Sequence, residues 1–156
     1  MPTVSRAFHP PLRSVAVLLL FLAAGCVKFK PPALDEPAVV LERFLFCASV
    51  EQKEDWAEPG PSKSTFTAET DGQVFAFVGF TDLRGAHTLS WKWYGPTRKL
   101  ERAPEAIRIG EEGKSYESYI AWDAIAVTPD RAAGMWTVAV FLDEEFLAAK
   151  GFEIKE

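Results

Sequence analysis

The sequence predicts an all-β protein, an antiparallel β-sandwich that occupies the chain from about residue 39 onward. Short apolar segments rich in β-branched and aromatic residues recur at intervals of roughly 8 to 15 residues. Turn-forming glycine, proline and aspartate separate them. Aromatic residues make up 13% of the chain and include five tryptophans, which supply ample apolar area for one core.

The first elements of the domain are two apolar segments with a polar loop between them. Residues 39–50 are rich in β-branched and aromatic side chains, and a polar, proline-containing loop over 51–64 follows. Residues 74–80 form a short apolar run after the turn signal Asp71-Gly72. We expect a strand at each apolar segment, the second buried on both faces.

Residues 87–94 alternate, as a strand with two different faces does. One face carries Leu89, Trp91 and Trp93, and the other carries Ser90, Lys92 and Tyr94. The two indoles are interpreted either as core, which the shared face with Leu89 favours, or as a flat platform for sugar rings. The opposite face suits an exposed surface. A ligand or partner surface is therefore predicted at Trp91, Trp93 and Tyr94.

The remaining elements complete the predicted sandwich. A turn at 95–98 precedes a strand at 106–110, and 118–127 is interpreted as a strand in preference to a short helical turn. Residues 134–142 and 146–154 predict a terminal hairpin, with a helix over 143–150 as the competing interpretation. Because Asp143-Glu144-Glu145 contains no glycine, we expect either a turn longer than two residues or a hairpin of less regular pairing. Four tryptophans are expected between the sheets or along their edges: Trp91, Trp93, Trp122 and Trp136.

The N-terminal segment has the three-part layout of an export signal. Arg6 and Arg13 form a basic region, residues 15–22 are apolar, and the small residues Ala24 and Gly25 precede Cys26. The apolar run is too short to cross the roughly 30 Å hydrocarbon core of a bilayer as a helix. An ordinary secretory signal or a membrane anchor with an incidental cysteine is the alternative interpretation.

At these residues the chain resembles the bacterial lipoproteins. The resemblance implies a signal peptide over 1–25, cleavage before Cys26, and lipidation of Cys26, with a diacylglyceryl group on its thiol and palmitate among the attached acyl chains. Residues 26–38 would form a lipidated, proline-rich tether and 39–156 the sandwich domain. Because Val27 stands where aspartate commonly retains such proteins in the inner membrane, the resemblance implies the outer membrane, if the cell has one. A Cys26–Cys47 disulfide would require that lipidation fail.

The body of the chain resembles a group of bacterial envelope domains with immunoglobulin-like sandwiches and no assigned activity. Four parts of the sequence carry this resemblance: residues 46–47 leading to 65–66, residues 74–83, residues 87–96, and residues 134–143 with 152–154. It implies an immunoglobulin-like fold and is almost silent on function, because such sandwiches serve many unrelated roles.

Charge and residue chemistry narrow the function classes. Without Arg6 and Arg13, the mature chain has 15 basic and 22 acidic residues, so its net charge is about −7. Nucleic acid is therefore not an expected partner. His87 is the one histidine after the signal, and we expect it to have a structural role. Cys47 lies in an apolar run, which is typical of a buried core thiol. We therefore expect no enzyme, no cofactor and no metal site, with calcium in the acidic turns as a minor alternative.

These observations predict a non-catalytic lipoprotein of the cell envelope. The lipid bilayer would be reached through acylated Cys26, and the sandwich would bind an envelope protein or assemble a complex. The alternative is a module that binds cell-wall or other polysaccharide through exposed aromatic side chains. Exposure of Trp91, Trp93 or Trp56 in a groove separates the two.

Overall fold

The computed structural model describes residues 39–54, 56–102 and 104–156. The predicted signal peptide, the lipid attachment at Cys26 and the tether over 26–38 all lie outside the described residues. Their boundaries therefore stay predictions.

Nine strands and no helix make up the described part of the chain. Their bounds are β1 Val40–Cys47, β2 Val50–Gln52, β3 Ala57–Pro59, β4 Thr65–Thr67, β5 Gln73–Tyr94, β6 Leu100–Arg102, β7 Ala106–Ala126, β8 Gly134–Leu142 and β9 Glu145–Lys155. The prediction of an all-β sandwich is confirmed, and the segment over 143–150 is turn and strand, not the competing helix. Among these residues there is accordingly no helix with the length and hydropathy to span a bilayer.

Two long strands, β5 and β7, belong to both layers of the sandwich. In layer 1, the first half of β5 lies between β1 and the second half of β7. In layer 2, the second half of β5 pairs with β6, the first part of β7 and β8, and β9 and β4 follow beyond β8. All pairs in this sheet are antiparallel except β4 with β9. The layers are thus two parts of one continuous seven-stranded sheet.

The passage from one layer to the other is made at glycines. The β5–β7 register shifts between Arg84 and Ala86, and Gly85 there has φ of 86°. Its neighbour across the strands, Gly110, has φ of 66°, and a Cβ at Gly110 would overlap the carbonyl oxygen of Gly85. A side chain is therefore excluded at Gly110. The sequence interpretation separated β5 and β7 into shorter strands because these glycines resemble turns.

The core lies between the layers and is rich in aromatic rings. Phe152 of β9 is at its centre, with ring centroids 4.8 Å from Phe46 and 6.1 Å from Trp93. Trp136 stacks on the same ring at 6.2 Å, and Phe66 meets it edge-on at 5.6 Å. Since Phe46 comes from layer 1 and the others from layer 2, these contacts join the two layers.

The terminal hairpin has a tighter turn than the sequence predicts. Leu142 pairs directly with Glu145, so Asp143 and Glu144 alone form the loop. Their φ values of 49° and 69° are those of a type I′ turn, which matches the twist of the flanking strands. The expectation of a longer turn is therefore wrong, whereas its alternative, a less regular hairpin, is confirmed by the register shift between Val140 and Phe141. Aspartate tolerates this left-handed region better than most residues because its short side chain bonds nearby backbone groups.

A small separate hairpin, β2–β3, lies over the outer face of layer 1. Its residue Ala57 lines the same cavity as Trp122 of β7, and both Cys47 and Phe77 beneath it are buried. Backbone groups of Ser49 and Gly60 hydrogen-bond the Cys47 thiol, although burial dominates and raises its pKa. Cys47 is thus a free, buried cysteine, as predicted.

Candidate functional site

The structure places the predicted tryptophan platform inside the core. The side chains of Trp91 and Trp93 are 1% and 0% exposed. They lie opposite Val140 and Val138 of β8, on the inward face of layer 2. The prediction of a ligand surface at these two indoles is therefore corrected to the alternative interpretation, core.

Trp93 also has a fixed hydrogen-bonding role. Its Nε1–H donates to Oδ2 of Asp123 at 2.8 Å, and the same carboxylate pairs with the Arg102 guanidinium. Arg102 Nη1–H donates in addition to the carbonyl oxygen of Ala124 at 3.0 Å. This cluster joins β5, β6 and β7 at one edge of the sandwich and leaves the indole with no surface function.

Tyr94, the third predicted residue, lies half-buried on the outward face of layer 2. We call this the Tyr94 face; it carries Ser90, Lys92, Tyr94, Thr137, Ala139, Phe141 and Phe146. Phe146 is 61% exposed and meets the Phe141 ring edge-on, with 5.9 Å between centroids. The Lys92 ammonium lies 4.1 Å from the centroid of Phe141. In the described part of the chain, the β2–β3 hairpin covers layer 1 whereas no comparable element covers this face.

Two other tryptophans line a cavity on the opposite side of the molecule. This aromatic cleft, about 270 Å³ in volume, is formed by Gln52, Lys53, Glu54, Trp56, Ala57, Ile120 and Trp122. Trp56 is 50% exposed. The sequence interpretation named Trp56 as a candidate for an exposed groove and expected Trp122 between the sheets or along their edges. Ile125, three residues further along β7, is buried in the core. Residues three apart on a strand face opposite sides, so strand parity could have placed Trp122 outward.

Both indoles of the aromatic cleft are held in place. The Trp122 ring is parallel to that of Phe77 within 6°, with 6.3 Å between centroids, and Phe77 is buried beneath the β2–β3 hairpin. The Lys53 ammonium lies 4.2 Å from the centroid of Trp56, and the Lys53 backbone N–H donates to the Trp56 carbonyl oxygen at 2.8 Å. The cleft is therefore largely formed before any ligand arrives.

His87 is engaged on both ring nitrogens. Nδ1–H donates to Asp143 Oδ2 at 2.7 Å, and Nε2–H donates to the carbonyl oxygen of Arg84 at 2.9 Å. Partial burial lowers the pKa of His87, but these two bonds outweigh it, so the pKa is raised overall. Both partners are acceptors, which only the doubly protonated ring can satisfy. The geometry makes His87 a charged clamp on the β8–β9 turn.

A second charged pair is structural as well. Asp71 is almost fully buried, pairs with Lys63 and accepts the backbone N–H of Thr67 at 3.0 Å. Burial raises the pKa of this carboxyl, and the bonds from Lys63, Thr67 and Thr70 reverse the effect, so the pKa is lowered overall.

Within residues 39–54, 56–102 and 104–156, no three His, Cys, Asp or Glu side chains are grouped as a metal site requires.

Comparison with known proteins adds distant likenesses only. No protein-family model matches the chain, and no curated protein matches its sequence. An immunoglobulin-like protein of Pseudomonas aeruginosa aligns with a TM-score of 0.41 and 13% identity, over 75% of this chain and 96% of that one. The alkylpurine DNA glycosylase AlkC of Pseudomonas fluorescens, bound to DNA containing an abasic site analog, aligns with a TM-score of 0.44 and 9% identity, over 76% of this chain. The chain spans only 31% of that glycosylase, and neither likeness carries an inference about what this chain binds.

Proposed function

We propose that this chain is a lipoprotein of the cell envelope whose β-sandwich binds another envelope protein. The observation that carries the proposal is the position of Cys26. It follows an apolar run and two small residues, and the first described strand begins at Val40. The thirteen intervening residues include three prolines, and as extended backbone at about 3.1 Å each they would reach about 40 Å. That length would hold the domain clear of the lipid headgroups.

The Tyr94 face is the surface we assign to the protein partner. Exposed tyrosine and phenylalanine side chains are enriched in the buried centres of protein interfaces. Here Phe146 is widely exposed beside Phe141, and Ala139 keeps the centre of the face shallow. The face carries a single positive charge, Lys92, which is held against Phe141. Ser90, Lys92 and Phe141 of this face also line a cavity of about 440 Å³. A side chain of the protein partner would fill this cavity while the exposed aromatic rings pack around it.

Site-specific photo-crosslinking in membranes tests this assignment. A photoreactive side chain replaces Phe146 in the full chain, and a matched chain carries it at the exposed Glu117 of β7, away from the Tyr94 face. We expect one discrete adduct from position 146 and none of the same size from 117. Equal adducts from both positions, or none from 146, would contradict the assignment.

The same experiment with Cys26→Ala separates the two parts of the proposal. If the 146 adduct disappears with the chain released from membranes, tethering is required for recognition. If the adduct persists with the released chain, the sandwich recognises its partner unaided and acylation sets location alone.

A further inference from the structure

The aromatic cleft between the β2–β3 hairpin and β7 has the make-up of a small-ligand site distinct from the Tyr94 face. It combines two indole rings with an amide at Gln52, a carboxylate at Glu54 and an ammonium at Lys53. Ligand pockets typically join flat apolar walls with a few polar groups that fix orientation. At about 270 Å³, the cavity lies just below the usual range of ligand pockets, which begins at ~300 Å³, so it would hold only part of a longer ligand.

The Trp122 ring provides one rigid wall. One of its faces is turned toward the parallel ring of Phe77 on β5. Among the described strands β7 pairs with β5 alone, so Trp122 lies on an edge strand, where it lines the aromatic cleft. The ring is thus supported from behind and presents a flat apolar surface.

The Trp56 indole provides a second wall that is partly ordered in advance. Lys53 lies over this ring and also approaches Glu58, with 3.4 Å between Nζ and Oε2. Half of the side chain is nevertheless exposed, which is unusual for so large an apolar group on a monomeric surface. Because the ring is already positioned, binding would sacrifice little side-chain entropy.

The polar rim of the cleft carries charges of both signs and one neutral amide. Lys53 and Glu54 bring opposite charges to the same cavity, and Gln52 adds a neutral donor and acceptor. A ligand with a flat C–H face and many hydroxyl groups would use both the rings and the rim. Sugar rings whose hydroxyls are all equatorial have this shape, since their axial C–H groups form both faces.

We propose that the aromatic cleft binds a neutral oligosaccharide of gluco-configured rings, stacked on Trp122 and Trp56 and hydrogen-bonded by Gln52 and Glu54. This role goes beyond the proposed protein interaction and does not depend on the acylation of Cys26. A failure of one proposal therefore leaves the other standing.

Titration of the full chain in detergent micelles with cellotetraose and with chitotetraose tests the site, by calorimetry and tryptophan fluorescence. We expect at least one tetrasaccharide to bind with a Kd of about 1 mM or tighter. Trp56→Ala changes an exposed residue and should weaken that binding by about tenfold or more, equivalent to ~1.4 kcal/mol. Phe146→Ala, an equally exposed aromatic on the Tyr94 face, is the matched control and should leave the Kd unchanged.

Three results would overturn the proposal. The first is the absence of binding by both tetrasaccharides up to about 1 mM. The second is binding that Trp56→Ala leaves intact, and the third is tighter binding of the acidic tetragalacturonate than of either neutral sugar. Trp122→Phe keeps a flat ring beside Phe77, and we expect it to weaken binding less than the double variant Trp56→Ala/Trp122→Phe does. If Trp122→Phe fails to fold, the result for Trp56→Ala alone decides the question.

Discussion

The imidazole of His87 clamps the carboxylate of Asp143, with 2.7 Å between Nδ1 and Oδ2, although 56 positions separate them. The other oxygen of Asp143 accepts the backbone N–H of Thr88 at 2.8 Å, and the Asp143 N–H donates back to the Thr88 carbonyl oxygen. The contact ties the β8–β9 turn to the middle of β5. It also compensates for the left-handed backbone of Asp143.

This clamp predicts that stability falls as the pH rises above about 6.5, the pKa of histidine in the unfolded chain. The pKa of His87 is raised in the folded chain, so the folded state binds the proton more tightly than the unfolded state. The stabilisation is complete below the unfolded pKa of about 6.5 and is lost as the pH rises through the higher folded value. Because half of Asp143 is exposed, we expect a loss of only about 0.5 kcal/mol. Urea unfolding from pH 5.5 to 9 measures it, and His87→Asn should remove this dependence.

The opposite limb of the pH profile belongs to Asp143. Burial raises its pKa, but the bonds from His87 and Thr88 prevail, and the pKa is lowered overall. The stability that Asp143 contributes is present above its unfolded pKa of about 3.9 and is lost as the pH falls through its lower folded pKa. An Asp143→Asn chain should lose less stability than the parent between about pH 5 and pH 3. Identical acid limbs for the two chains would show that the clamp contributes nothing.

The turn without glycine predicts a stabilising substitution. Glu144 has φ of 69°, a conformation that disfavours side chains by about 1–2 kcal/mol. Glu144→Gly should raise the free energy of unfolding by about 0.5–1 kcal/mol, after the entropy that glycine adds to the unfolded chain. Glu145→Gly, one residue further and inside β9, is the control and should lower it. Equal effects at both positions would argue against a two-residue turn.

Two glycines of β7, Gly110 and Gly113, predict different losses of stability when each is replaced by alanine. A Cβ at Gly110 would overlap the Gly85 carbonyl oxygen, whereas Gly113, with φ of 73°, faces open space. Gly113→Ala should cost only the conformational penalty of about 1–2 kcal/mol. Gly110→Ala adds a backbone clash and should cost several kcal/mol or prevent folding. Thermal unfolding of the two variants makes the comparison.

Phe152 and Phe146 share β9 but not their surroundings. Phe152 is enclosed by aromatic rings from both layers, and Phe146 is largely exposed. Phe152→Ala should lower the free energy of unfolding by about 3–5 kcal/mol, and Phe146→Ala by no more than about 0.5 kcal/mol. A large loss from Phe146→Ala would mean that the Tyr94 face is packed against something other than solvent.

Local patterns in the sequence predicted strands within β1, β5, β7, β8 and β9 but not their lengths. The interpretation of residues 51–64 as a loop is wrong, because β2 ends and β3 lies there, and the short strands β4 and β6 were not predicted. The alternation over 87–94 correctly paired Trp91 and Trp93 on one face, but a period of two cannot say which face is inward. The burial of both indoles depends on β8, which comes more than 40 residues later.

The prediction for Trp122 left open whether it lies between the sheets or along an edge. Strand parity with the buried Ile125 places it on the outer face, in the edge strand β7. The bends at which β5 and β7 cross between layers depend on the close contact of Gly85 with Gly110. A local sequence pattern cannot predict this contact, because the two residues lie on different strands.

The aromatic cleft shows the same limit at a candidate site. Trp56 could be proposed as exposed because its segment is polar and contains proline. Its meeting with Trp122 joins residues 66 positions apart through the placement of the β2–β3 hairpin. The sequence therefore predicted an exposed Trp56, but only the fold shows that Trp122 forms the second wall of the cleft. The Cys26 prediction differs, since its physical basis is contiguous in the chain.

The central claim is that the chain is held at a membrane through Cys26, and metabolic labelling with an alkyne analogue of palmitate tests it most directly. Cells producing the full chain and cells producing Cys26→Ala are labelled, fractionated and compared, with intact mass measured for each product. We predict label and membrane association for the parent chain, a mature product that begins at Cys26 with the added mass of its acyl groups, and loss of label in Cys26→Ala. An unlabelled parent chain, or equal label in the two chains, would contradict the account.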